Sequence, residues 1–125
     1  VFISPDRTFA NNGLDSVSSE LDFTDFGLGK FTRNTDDNGR FKIPTLRNLA
    51  FSAPYMHDGR FATLDEVIDF YNDGPKGSPT LEPIMREKAN KRVELTGHWG
   101  LSLSAQDKAD LKAFLLSLSD SSFVQ

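Results

Sequence analysis

The chain has 125 residues, 38% hydrophobic and 26% charged, with a formal net charge of −4; that suits one globular domain with a modest core. The acidic balance argues against wrapping a nucleic-acid backbone, and no apolar run approaches the roughly 18–20 residues of a membrane helix. With no cysteine, these residues hold no disulfide, no thiolate zinc site and no thioether-linked haem.

Eleven Phe stand against one Trp and two Tyr, so ring faces greatly outnumber polar tips. Such rings can fill a loop-rich core or wall a large flat cofactor, and composition leaves both open. From Val1 to about Arg40 no period of 3.6 or 2 is sustained. Asn11-Asn12-Gly13, Asp25-Phe26-Gly27 and Asp36-Asp37-Asn38-Gly39 are turn chemistry, since Gly and Asn tolerate positive φ. Phe2, Phe9, Phe23, Phe26 and Phe31 recur through this stretch and read as anchors pinning a long loop onto something large.

Pro44 before Thr45-Leu46-Arg47-Asn48-Leu49 reads as a short helix or turn with Pro at its first position. The loop Ser52-Ala53-Pro54-Tyr55-Met56-His57-Asp58-Gly59 follows, dense in groups that coordinate or hydrogen-bond. A well-marked helix then opens at Thr63, where Thr63 and Glu66 have capping-box spacing. Leu64, Val67, Ile68 and Tyr71 make one apolar stripe at i, i+3, i+4 and i+7. Asn72-Asp73-Gly74 predicts a left-handed cap, and Pro75 forbids restarting. Residues 75–103 read as a loop region, with a weakly patterned basic segment at 84–94 and a turn at Thr96-Gly97-His98-Trp99-Gly100. Ser104 caps a last helix with Asp107 three residues on; Leu111, Phe114, Leu115 and Leu118 form its stripe, and the polar tail from Ser119 is expected to fray.

Met56 and His57 are neighbours whose thioether and imidazole both ligate haem iron; a Met-His pair on a loop is also commonly structural. Tyr71, on a buried stripe, is either a core tyrosine with a partnered hydroxyl or a phenolate ligand for ferric iron. His98 beside Trp99 reads as plugging a turn against the core. No carboxylate pair has acid/base spacing, and there is no nucleophile elbow, phosphate-binding glycine loop or EF-hand.

The block Gly39-Arg40-Phe41-Lys42-Ile43-Pro44-Thr45-Leu46-Arg47-Asn48-Leu49, then Ala53-Pro54-Tyr55-Met56-His57-Asp58-Gly59, resembles the signature of bacterial dihaem cytochrome c peroxidases and MauG-type proteins. The likeness continues through Thr63–Gly74 and closes on Leu103-Ser104 and Lys108–Leu115. The stretch from Val1-Phe2 to Asn11-Asn12-Gly13-Leu14 is similar to the segment that follows the family's second C-x-x-C-H. The resemblance implies an all-α, cytochrome c-like haem domain with a loop-rich first third. Its regions would be 1–40, 41–74, 75–103 and 104–118, as the distal part of a single C-terminal haem domain. The attachment motif is expected a few residues before Val1, in a chain cut just after it.

In such a parent this domain carries the electron-transfer haem c, while peroxide is cleaved at the N-terminal haem. The resemblance puts the distal iron ligand at Tyr71, with Met56 as rival, His57 also facing the cofactor, and Arg47 forked onto a haem propionate. It implies a calcium ion held through the carbonyls of Ser52 and Pro54. It further implies an N-terminal haem domain, a small redox donor protein and hydrogen peroxide as partners, a possible homodimer, and a periplasmic location. The isolated chain is expected to be inactive, with no catalytic residue of its own. The alternative is a haem-free binding module that kept the fold and takes a protein partner or calcium.

Overall fold

Turn-forming residues dominate the first forty positions, and little regular structure forms there in the computed structural model, which describes residues 8–123. Phe2 and the start of the family-like stretch lie outside the described residues. The chain divides into two units, each made of two segments: the chain up to Ile43 with Pro75–Gly97, and Pro44–Gly74 with His98 onward.

In the first unit β1 (Phe9–Ala10) pairs antiparallel with β2 (Phe41–Lys42), Phe9 opposite Lys42 and Ala10 opposite Phe41. Helix α1 is one turn, Gly29–Thr32, and a 3-10 turn follows at Thr35–Asp37. The strand pair is a small departure from an all-α chain. Ala10, Leu14, Phe23, Leu81 and Ala89 are buried, yet so are Asn11, Asn38, Ser78, Thr80 and Glu82. Buried polar groups demand partners, and Asn11, Asn38, Ser78 and Thr80 share a hydrogen-bond network. Asn11 Nδ2 donates to Ser78 Oγ and to Thr80 Oγ1, both at 3.0 Å, and Asn11 Oδ1 accepts from the Gly13 amide at 2.9 Å. Thr80 Oγ1 donates to the Asn38 carbonyl at 2.7 Å, and Asn38 Nδ2 to that of Glu20 at 2.9 Å. Arg40 lies 3.7 Å from the buried Glu82 carboxylate.

The expected row of Phe anchors is only partly realised. Phe23 is buried and Phe9 and Phe26 are half-buried, but Phe31 is 81% exposed. Hydrogen bonds across the unit do much of the pinning that the rings were expected to do. The loop reading of 75–103 is also corrected: α3 spans Pro83–Thr96, with Pro at its start and Gly97 at φ 70° as its left-handed C-cap. Only Ala89 is buried on it, so it has no apolar stripe to read. Its Arg, Lys, Glu and Ala are good helix formers instead.

In the second unit no helix starts at Pro44. A turn runs through Arg47 and Asn48, and a 3-10 turn covers Leu49–Phe51. Asn48 sits at φ 62°, which breaks any helix begun at Pro44. Its amide donates to the Leu118 carbonyl at 3.2 Å and its Oδ1 accepts from the Asp120 amide at 2.6 Å. Asp120 Oδ1 in turn accepts from the Ser122 amide and hydroxyl. The tail expected to fray from Ser119 is therefore fastened as far as Ser122.

Helix α2 spans Leu64–Asp73 behind the predicted capping box: Thr63 Oγ1 accepts from the Glu66 amide, and Glu66 Oε2 from the Thr63 amide. Leu64 and Ile68 are buried and Val67 and Tyr71 half-buried, as the stripe requires; Phe70, off that stripe, is buried too. The expected left-handed cap is corrected. Asp73 is still helical and Gly74 takes φ 102°, ψ 160°, a region open essentially to glycine alone.

Helix α4, Ala105–Ser117, starts on a second capping box, Ser104 with Asp107. Lys108 pairs with Asp69 at 2.8 Å and Lys112 with Asp65 at 2.6 Å, while Asn72 Oδ1 accepts from the Leu103 amide at 2.6 Å. Partners descend along α2 as they ascend along α4, so the helices are antiparallel. That pairing turns Lys108, Lys112 and Leu115 toward α2, and at about 100° per residue Phe114 falls off this face. It is 55% exposed, contrary to the stripe read for it; Leu111, Leu115 and Leu118 are half-buried as expected. Beyond α2 the chain returns so close to itself that a Cβ on Gly100 would collide with the Asn72 carbonyl.

Candidate functional site

The signature loop is built by backbone hydrogen bonds. The Tyr55 amide donates to the Phe61 carbonyl at 2.7 Å and the Phe61 amide returns to Tyr55 at 3.5 Å, closing residues 55–61 into a narrow loop. Met56 sits at its bend with φ 72°, half-buried, and His57 beside it is exposed. The Asp58 carboxylate accepts from Arg60 Nε at 2.8 Å and Nη2 at 2.6 Å. The Arg60 side-chain hydrogen bond holds the Asp58 carboxyl below its ordinary range, against an opposing push from desolvation. Upstream, the Leu49 carbonyl accepts from the Tyr55 hydroxyl at 2.6 Å and from the Ser52 amide at 3.3 Å. Ser52 and Pro54 are exposed, and the Ala53–Pro54 peptide is cis.

The loop meets α2 through aromatic rings. Phe61 and Phe70 lie 5.8 Å apart between centroids at 41°, and Phe70 and Tyr71 lie 5.0 Å apart at 70°, edge to face. Both separations are within the range of attractive ring pairs. Tyr71 thus stands on the α2 stripe with its ring against Phe70. Arg47 lies elsewhere on the unit, in a depression of about 330 Å³ that it lines with Asn48, Ser117, Leu118, Ser119 and Asp120. His98 holds its turn but is exposed rather than plugged against the core as expected: its Nδ1 accepts from the Gly100 amide at 3.1 Å and lies 3.1 Å from Ser102 Oγ.

Phe61, Phe70 and Asn48 were not singled out from sequence. An aromatic residue just ahead of a capping box, as Phe61 is, was the available signal for the first. Phe70 lies off the stripe that marks α2, and Asn48 needed its distant partners Leu118 and Asp120.

The donor chemistry fits a haem. Tyr71, Met56 and His57 offer a phenol, a thioether and an imidazole, all axial ligand types, and Arg47 offers a carboxylate fork. Leu46, Phe51, Leu101 and Phe114 of this unit are exposed, and among the described residues no large side chain is fully buried. Apolar surface is therefore available to a flat ring. Among the described residues no cluster of three or more His, Cys, Asp or Glu could hold a metal ion.

No family model matches the chain. It is 38% identical over 95 residues to cytochrome-c peroxidase IdrP1 of Pseudomonas sp. (strain SCT), which covers 76% of this chain and 22% of that protein. Against cytochrome-c peroxidase IdrP2 of Denitromonas iodatirespirans it is 34% identical over 113 residues, 90% of this chain and 26% of the relative. The methylamine utilization protein MauG of Methylorubrum extorquens is 34% identical over 96 residues, 75% of this chain and 24% of its own length. The chain thus spans about a quarter of the curated relatives it matches. Among solved structures, a MauG-like protein associated with microbial copper homeostasis superposes with TM-score 0.74 at 36% identity, over 94% of this chain and 36% of that one. With this identity along most of its length and a shared, mainly α-helical cytochrome c-like fold, the chain belongs to the cytochrome-c peroxidase/MauG family.

Proposed function

We propose that the chain is the distal part of the C-terminal, electron-transfer haem domain of a dihaem peroxidase-type oxidoreductase acting in the periplasm. The observation that carries this is the family's signature loop and helix, present in order and folded into a closed loop against the helix that bears Tyr71. The haem, when bound, supplies one-electron redox chemistry to peroxide reduction at the N-terminal haem.

This chain's residues would hold and tune that group. Tyr71, whose ring lies edge to face with Phe70, would hold the iron through its phenol oxygen. Deprotonated to a phenolate it would be a hard anionic donor, favouring ferric over ferrous iron and so a lower potential than a thioether gives. Arg47 would pair a propionate through its fork, and His57 and Met56 would contribute from the loop. The carbonyls of Ser52 and Pro54 would supply two of the six to eight oxygens that calcium takes, with the N-terminal haem domain and water supplying the rest. A small redox protein donates the electrons, hydrogen peroxide accepts them, and the full-length protein can form a homodimer.

The test uses the full-length, haem-bearing protein with Tyr71→Phe and, separately, Met56→Leu. Tyr71→Phe is expected to change the haem spectrum and raise the reduction potential, with Met56→Leu altering neither. The opposite pattern assigns the iron to Met56 and overturns the ligand assignment.

A further inference from the structure

Arg47 and the segment that ends α4 wall one depression, and Asn48 fastens the two walls together. Asn48 sits at φ 62°; its amide donates to the Leu118 carbonyl at 3.2 Å and its Oδ1 accepts from the Asp120 amide at 2.6 Å. Arg47 enters none of the ion pairs among the described residues, so its charge is not committed to a carboxylate of its own chain. Asp120 lines the same depression, but its Oδ1 accepts from the Ser122 amide at 2.9 Å and hydroxyl at 2.6 Å. An anion entering here meets the attraction of Arg47 and the repulsion of Asp120, and needs a further donor to tip the balance.

Two serines line the depression and differ in how they are satisfied. Ser117 Oγ donates to the Phe114 carbonyl at 2.6 Å. Ser119 Oγ is shut off from solvent and has no hydrogen-bond partner among the described residues. A buried hydroxyl left so is uncommon, because its bonds to water are given up and nothing replaces them. Ser119 as a whole is only half-buried, and its hydroxyl reaches its other staggered positions by rotation about a single bond.

We propose that this depression is a carboxylate seat in which the Ser119 hydroxyl is the second donor beside the Arg47 guanidinium. The inference rests on the reading of Arg47 as partner of a haem propionate, which names the source of the carboxylate. Arg47 supplies charge and a planar fork; Ser119 adds a hydrogen bond to the same group and offsets Asp120.

The experiment uses the full-length, haem-bearing protein with Arg47→Gln, Ser119→Ala and Ser117→Ala. It reads the propionate bending bands in resonance Raman spectra and the pH at which the reduction potential starts to fall. Losing a hydrogen bond to a charged group raises the proton affinity of a carboxylate roughly tenfold or more. Arg47→Gln and Ser119→Ala should each shift the bands and move that pH up by about one unit or more, and Ser117→Ala should do neither. In the 125-residue chain without haem, Ser119→Ala deletes no hydrogen bond, so its urea midpoint should equal or exceed the parent's.

If Arg47→Gln alone moves the bands and the pH, the reading of Arg47 stands and the Ser119 assignment is overturned. If Ser119→Ala alone moves them, the reading of Arg47 fails instead; if neither does, both fail. An equal shift in Ser117→Ala, or a lowered urea midpoint in Ser119→Ala, makes the serine structural and also overturns the proposal.

Discussion

Replacing Asn11 by Ala tests whether hydrogen bonds or rings hold the first forty residues in place. Asn11 is 4% exposed and its side chain makes three hydrogen bonds, to Ser78, Thr80 and the Gly13 amide. Each is worth about 0.5–1.5 kcal/mol net, and a buried amide left without an acceptor costs about 1–3 kcal/mol. The Ser78 and Thr80 hydroxyls lose only a donor, and Thr80 keeps its own bond to the Asn38 carbonyl, so the whole loss should come to about 2–4 kcal/mol.

Hydrogen exchange locates that loss. The Lys76 amide donates to the Gly13 carbonyl at 2.7 Å and the Glu82 amide to that of Asn11 at 3.0 Å, so both report on the same fastening. Their protection should fall roughly 30- to 700-fold in Asn11→Ala. Phe31→Ser is the comparison: at 81% exposure it should change stability by no more than about 0.5 kcal/mol. If Asn11→Ala leaves these amides within about threefold of the parent and Phe31→Ser releases them, the reasoning is wrong and the rings carry the load.

Gly100→Ala should destabilise by about 1–3 kcal/mol because its Cβ meets the Asn72 carbonyl; the urea midpoint followed by Trp99 fluorescence reads it, and an unchanged midpoint contradicts the close approach. A double-mutant cycle on Asp65 and Lys112, a pair exposed at 63% and 39%, should give a coupling of about 0.2–1 kcal/mol that fades in high salt. The Thr63 amide holds the Glu66 carboxyl below its ordinary 4.5, and the Ser104 hydroxyl holds that of Asp107 below 3.8. Groups lowered on folding stabilise above their unfolded pKa and lose that contribution as pH falls through the folded one. The melting temperature should thus drop between about pH 5 and pH 3, with a shallower drop in Glu66→Gln; an identical slope refutes the cap's part in it.

What could be read from the chain depended on how far apart the interacting residues lie. Helix starts close over three residues, so the Thr63–Glu66 box and the Ser104 N-cap were legible; Asp107, expected only to favour the helix dipole, also closes a box with Ser104. The α2 stripe placed Tyr71 for the same reason. Phe114 was misread because the face of α4 is selected by Asp65 and Asp69, 47 and 39 residues from their lysines. Asn11 looked like turn chemistry and does accept from Gly13, but its other partners lie 67 and 69 residues away. Helix α3 escaped because propensity without a buried face leaves no period to count. The ligand-type residues were visible by chemistry; the ring contact of Phe70 with Tyr71 was not, since Phe70 lies off the stripe that a single helix displays.

The two units are interleaved along the chain, and this orders their completion during synthesis. The crossings fall at Ile43–Pro44, Gly74–Pro75 and Gly97–His98, so everything the first unit needs has been made once Gly97 is added. The second unit has by then only its leading half. Helix α2 must wait for Lys108 and Lys112, and Asn48 for Leu118 and Asp120. Asn48 bonds to the far end of α4, so its partners emerge after both lysines. A nascent chain paused near Gly97 would therefore present a finished first unit alongside a signature loop and Tyr71 helix that still lack their closing helix. A stop codon ahead of Lys108 would leave the protein in that same half-assembled state.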